Sequence, residues 1–315
     1  MAGTSTSVVL AALFANGAIA VLKFGAYLLT GSPAMLSETY HSISDTGNQV
    51  FLLVGIFYGG KEASREHPFG YGKAQFFYAF LVSVFLFGIA GWESLKHGYD
   101  AIRHPHPVDP GTVTLPVAGT IPNVWVSYAV LVGAIVFEAY AFKKAYAAMS
   151  AQIEEHEWSG FREAFRKTSD VTVLTALTED TIAMGGAGLA LLGIYLSRVT
   201  GNPVYDAVAA FLIGVMLMGF ALALAWENKR LLLGESLPRS DERELREAVA
   251  GHEGVDRIVD FRTVYFGPKQ VLVTADVAFE PGFDTGTIDE TISAIEARLK
   301  ELEPDISKVY IEPEI

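Results

Sequence analysis

His41, Asp45 and Asn48 stand four and three residues apart in S-E-T-Y-H-S-I-S-D-T-G-N-Q-V-F-L-L-V-G-I-F-Y-G-G, the stretch from Ser37 to Gly60. On a helix of about 3.6 residues per turn, that spacing puts an imidazole, a carboxylate and a carboxamide on one face. A second apolar stretch, L-T-A-L-T-E-D-T-I-A-M-G-G-A-G, carries Glu179 and Asp180 side by side. Ionisable groups inside apolar segments are costly to bury without a partner and mark functional sites by default. Carboxylate oxygen together with imidazole nitrogen suits a divalent first-row metal, zinc most readily. The chain has no cysteine, so thiolate metal sites and disulfides are both excluded.

Elements able to hold these groups follow from the hydropathy pattern. Hydrophobic residues make up 51% of the 315, more than an ordinary soluble protein carries, and they come in long runs. Six runs approach the ~20 apolar residues of a spanning helix. They are Val8–Leu29, Ala34–Tyr58, Phe76–Tyr99, Val124–Tyr146, Val171–Leu196 and Val204–Trp226. The polar groups fall in the second and fifth. Residues 104–122, rich in Pro, Gly and Thr, read as a loop, and Met149–Lys167 as a charged amphipathic linker. With both termini on one side, ten Lys and Arg flank the spans there and three on the other, which predicts cytoplasmic termini.

From about Pro238 the pattern becomes that of a small soluble domain. Ser240 reads as the N-cap of a helix ending near Ala250. Val255–Phe266 and Gln270–Phe279 read as strands joined through Gly267-Pro268-Lys269, followed by a helix over Thr287–Leu302 and a strand over Lys308–Ile311. The expectation is an α-helical membrane protein in two domains, 1–234 and 235–315, the second a cytoplasmic αββαβ ferredoxin-like unit. Ten of the thirteen net negative charges fall in residues 235–315, which argues against nucleic acid as a partner. No nucleophile–base arrangement or phosphate loop points to an enzyme.

H-S-I-S-D in the second span, H-P-F-G-Y-G-K after it, an acid in the fifth span and the αββαβ tail together resemble the cation diffusion facilitator family of metal/proton antiporters. The second-span H-S-x-x-D-T-x-N-Q and fifth-span L-x-E-D are similar to its mitochondrial-type zinc-transporter branch. The resemblance implies export of a divalent metal from the cytoplasm, protons moving the other way, and a homodimer. No prosthetic group is implied, the ion being cargo. It further implies a midplane site built from two second-span ligands, here His41 and Asp45, and two fifth-span ligands. Asp180 matches the later of the fifth-span pair, while Ala176 stands where the earlier one is usually His or Asp. Asn48, Glu179 or water can supply the missing ligand. Oxygen in place of imidazole softens the preference for zinc and admits manganese or iron.

A second, loop-borne site of the family retains His67, with Ser64 and Tyr71 at its other two positions. The rival reading is a non-transporting membrane scaffold or metal-responsive regulator with a vestigial site. Ala176 favours it; His41, Asp45 and Asp180 disfavour it. His104 and His106, flanked by prolines, read as a solvated loop, and Lys23 and Glu138 as residues that snorkel or pair.

Overall fold

The computed structural model describes residues 2–105, 111–115 and 119–314. Its elements run α1 (Ala2–Thr30), α2 (Pro33–Gly59), α3 (Lys73–Phe85), a π-helical segment (Leu86–Gly91), α4 (Trp92–Arg103), β1 (Thr112–Leu115), β2 (Gly119–Pro122), α5 (Val124–Glu155), α6 (Phe161–Lys167), α7 (Val171–Thr200) and α8 (Val204–Leu233). The tail adds α9 (Arg239–Ala250), β3 (Val255–Gly267), β4 (Gln270–Phe279), α10 (Thr285–Leu302) and β5 (Ile306–Glu314). Packing divides the chain into two units. The first holds Met1–Gly55, Tyr78–Arg166 and Thr172–Glu227; the second holds Ile56–Phe77, Lys167–Val171 and Asn228–Ile315.

The first unit is apolar on its outside and polar in its middle. Phe14, Val21 and Val136 are 76%, 72% and 67% exposed, while Lys23, Glu38, His41, Asp45 and Glu179 are buried. Water rewards the opposite arrangement, so this surface is made for lipid. Among the described residues, five helical stretches are long and apolar enough to cross a membrane: Leu13–Thr30, Lys73–Arg103, Val124–Glu155, Val173–Thr200 and Val204–Leu233. At 27 residues α2 is also long enough to cross, but its first half carries the polar stripe and lowers its hydropathy.

Small residues let the helices approach. A Cβ on Gly98 of α4 would strike the backbone of Phe211 and Ala210 on α8, and one on Gly214 of α8 would strike Leu95 of α4. Backbone contact of this kind replaces the hydrophobic effect as the source of helix association in lipid. Met35, Leu86, Leu131, Leu174, Ile182 and Ile213 belong to the core between the helices. The start of α2 is fixed by Asp206 of α8, whose Oδ1 accepts from Ser32 Oγ at 3.0 Å and from the Ala34 N–H at 3.1 Å. That carboxylate satisfies an N-terminal donor of α2 from another helix.

In the second unit the tail folds as αββαβ. β3 and β4 pair antiparallel around a turn in which Lys269 adopts φ 53, and β5 lies parallel to β4, giving the order β3-β4-β5. Val271, Val273, Ala275 and Val277 alternate onto one buried face, and Leu245, Val249, Ile295 and Leu299 supply buried side chains from α9 and α10. The parallel pair needs the α10 crossover. Asp284 caps α10, accepting from the Thr287 N–H at 2.8 Å and its hydroxyl at 2.9 Å. Those bonds hold its carboxyl below the ordinary carboxylate range.

Several local expectations are corrected. Residues 104–122 are not simply a loop: Thr112–Leu115 and Gly119–Pro122 form an antiparallel hairpin. Helix α5 continues past Tyr146 to Glu155, and the linker contains α6. Pro238, not Ser240, occupies the N-cap of α9: the helix begins at Arg239, so Ser240 lies inside its first turn, where its hydroxyl donates to Asp241 at 2.6 Å. The third span contains a π segment that periodicity does not reveal, and β5 is longer than Lys308–Ile311. His106 lies outside the described residues.

Candidate metal site

Helix α2 carries the candidate residues on one face, where its polar side chains recur. At ~1.5 Å per residue the helix is about 40 Å long, with Asp45 about 18 Å from its start and hence near its middle. His41 is fully buried and Asp45 nearly so, with His41 Nδ1 3.4 Å from Asp45 Oδ1. Neither imidazole nitrogen nor Asp45 Oδ1 has a hydrogen-bond partner among the described residues. The same holds for Ser44 Oγ and Asn48 Oδ1 further along α2 and for Thr175 Oγ1 on α7. Unmet polar atoms of this kind each cost about 1–3 kcal/mol. Their concentration along one stretch of α2 and the facing turn of α7 marks a place able to receive a polar guest.

Across from α2, α7 presents Glu179. Its carboxylate Oε1 accepts from Asn48 Nδ2 at 2.7 Å, and both residues are buried. Asp180, one residue on, points about 100° away on a regular helix and is only half-buried. Its carboxylate interacts electrostatically with Glu138, a buried acid of α5. The structure therefore brings together His41 with Asp45, and Asn48 with Glu179, while Asp180 faces elsewhere. Among the described residues no group of three or more His, Asp or Glu is gathered ready to hold a metal ion. Ala176 brings no donor, but the unpartnered Thr175 hydroxyl sits one turn before Glu179.

Two site neighbours escape a reading of periodicity. Lys23 of α1 donates to Glu38 Oε2 of α2 at 2.8 Å, with both side chains buried. A lysine in the middle of an apolar span is the available signal, since it must find a partner. In the second unit, Ser64, His67 and Tyr71 also come together, though as a closed polar knot. Ser64 Oγ and Tyr71 OH lie 3.1 Å apart, the His67 N–H donates to Ser64 Oγ, and the His67 and Tyr71 rings stack at 4.2 Å.

A lipid-facing helical bundle with an imidazole and acids at its centre defines a membrane transporter architecture. The family model for the cation efflux transmembrane domain matches residues 9–233. The chain belongs to this family, the cation diffusion facilitators, and is an integral, multi-pass membrane protein; the family is one of transporters and not of enzymes. Over 273 residues it is 28% identical to the human protein named proton-coupled zinc antiporter SLC30A9, mitochondrial, covering 87% of this chain and 46% of that one. It is 24% identical over 282 residues to metal tolerance protein C4 of Arabidopsis thaliana, covering 87% and 57%. To the cation-efflux pump FieF of Escherichia coli O127:H6 it is 27% identical over 254 residues, covering 80% and 74%. The chain thus spans about half the length of the human and plant relatives.

Proposed function

We propose that this chain is a secondary transporter exporting a divalent metal, zinc first, from the cytoplasm in exchange for protons. One observation carries the reading: His41 and Asp45 lie buried with unmet polar atoms midway along a helix of a bundle whose outside is apolar. In it, His41, Asp45 and Asp180 are the ligands, and the Asn48–Glu179 pair beside them supplies the fourth, an oxygen. Asn48 Oδ1 is free to take this part without breaking its bond to Glu179. Rotation or rocking of α7 against α2 brings Asp180 to the ion, as alternating access requires. The name of the human relative, a proton-coupled zinc antiporter, supports the choice of cargo and coupling.

Coupling follows from the ligand chemistry. A neutral imidazole and ionised carboxylates bind metal; protons arriving at the same atoms compete with it and drive release. With cytoplasmic termini, the excess of Lys and Arg lies on the side from which metal is loaded. The family's usual homodimer is part of this reading, and manganese or iron are admitted as weaker cargo.

Purified protein in sealed vesicles tests it. Zinc uptake is expected to rise when the vesicle interior is made acidic, because outward proton flow drives inward metal. Dissipating the proton gradient should bring uptake back to the passive rate. Uptake indifferent to the gradient contradicts exchange. A protein that moves no metal at all belongs instead with the scaffold or regulator reading.

A further inference from the structure

Among the described residues Lys23 is the only buried Lys or Arg. Its ammonium lies 2.8 Å from Glu38 Oε2, and neither side chain is more than 1% exposed. Glu38 precedes His41 by one turn and shares the face of α2 that carries Asp45 and Asn48. Its second oxygen, Oε1, has no hydrogen-bond partner among the described residues and lies against Gly186 of α7, where a Cβ would collide with it. The lysine also interacts electrostatically with His41, Asp45 and Glu138. A carboxylate thus stands one turn from the candidate metal site, half-satisfied and held by a buried lysine.

We propose that Lys23 is a tethered cation that withholds Glu38 from the transported metal and so sets which metal the site prefers. The proposal rests on His41 and Asp45 being the site. With Glu38 occupied, an arriving ion meets one imidazole and few oxygens, a small mixed set that suits zinc. Freed from Lys23, Glu38 becomes another hard oxygen donor within reach. Ions that take more oxygen ligands, manganese among them, then gain relative to zinc. The pair is therefore a specificity device acting through Glu38, and Lys23 never touches the ion.

Zinc and manganese uptake into vesicles by the full chain, compared for wild type, Lys23→Met, Lys23→Arg and the double variant Lys23→Met/Glu38→Gln, decides the matter. Lys23→Met is expected to lower the zinc-to-manganese ratio by ~10-fold or more, the scale on which residues beside metal ligands act. The double variant should restore the wild-type ratio, and Lys23→Arg should keep it. A pair that only holds α1 to α2 lowers the amount of folded protein while leaving the ratio per folded molecule unchanged, and that result overturns the proposal. If Lys23→Met does not fold, Lys23→Gln, which also removes the charge, takes its place: a zinc-to-manganese ratio lowered ~10-fold is expected, and a ratio equal to wild type overturns the idea. A wild type that moves neither metal removes the transport reading and this inference with it. A discriminating wild type with an equally discriminating Lys23→Met removes this inference alone.

Discussion

Replacing Asp45 with asparagine is expected to lower zinc uptake at least ~100-fold, beyond the 10–100-fold typical of residues that only support a ligand. The substitution keeps the shape of the side chain and removes the charge. In the fold, Asp45 Oδ1 makes no hydrogen bond that asparagine would forfeit, and its near approach is to His41 Nδ1 at 3.4 Å. Packing on α2 therefore survives, and the variant should elute from size exclusion as wild type does. What is lost is the anionic oxygen that pulls a dication out of water into a low-dielectric site. Asn48→Ala is expected to have a smaller effect, because water can replace a carboxamide oxygen and Glu179 remains. Normal uptake by Asp45→Asn would mean that the ion does not bind at α2.

The second large effect concerns stability. Gly98→Val is expected to prevent correct assembly of the membrane unit, seen as loss of the monodisperse peak after extraction and mild heating. A side chain there meets the backbone N and Cα of Phe211, which cannot swing aside as a flexible side chain would. Overpacking of an ordinary core costs about 1–3 kcal/mol, and a clash with helix backbone stands at or above the upper end. Gly133 is the control: it has nothing within 4 Å of its built Cβ, so Gly133→Ala should behave as wild type. Equal behaviour of the two variants would show that α4 and α8 do not approach through Gly98.

The polar stripe of α2 is legible in the sequence because polar residues at helical spacing stand out in an apolar run, and the αββαβ tail because its strands alternate and its turn is signalled by Gly267-Pro268-Lys269. Which α7 acid faces α2 is not legible. Glu179 and Asp180 are neighbours in sequence, and only the packed helix turns one toward Asn48 and leaves the other half-buried. Glu38 escapes notice for a related reason: an acid six residues into a helix reads as interfacial until a lysine from α1 is seen against it. The Asp206 cap on α2 joins residues more than 170 positions apart, beyond any local pattern. The hairpin over β1 and β2 is hidden by strands of four residues each, too short for alternation to register.

The central claim is that the ion is held at α2 by His41 and Asp45. Zinc-edge X-ray absorption on purified protein loaded with one equivalent of zinc tests it most directly. The predicted spectrum shows one imidazole nitrogen and carboxylate oxygens at about 2.0–2.2 Å and no sulfur, and His41→Ala should erase the imidazole signature. An imidazole signature that persists unchanged in His41→Ala would place the ion elsewhere and contradict the account.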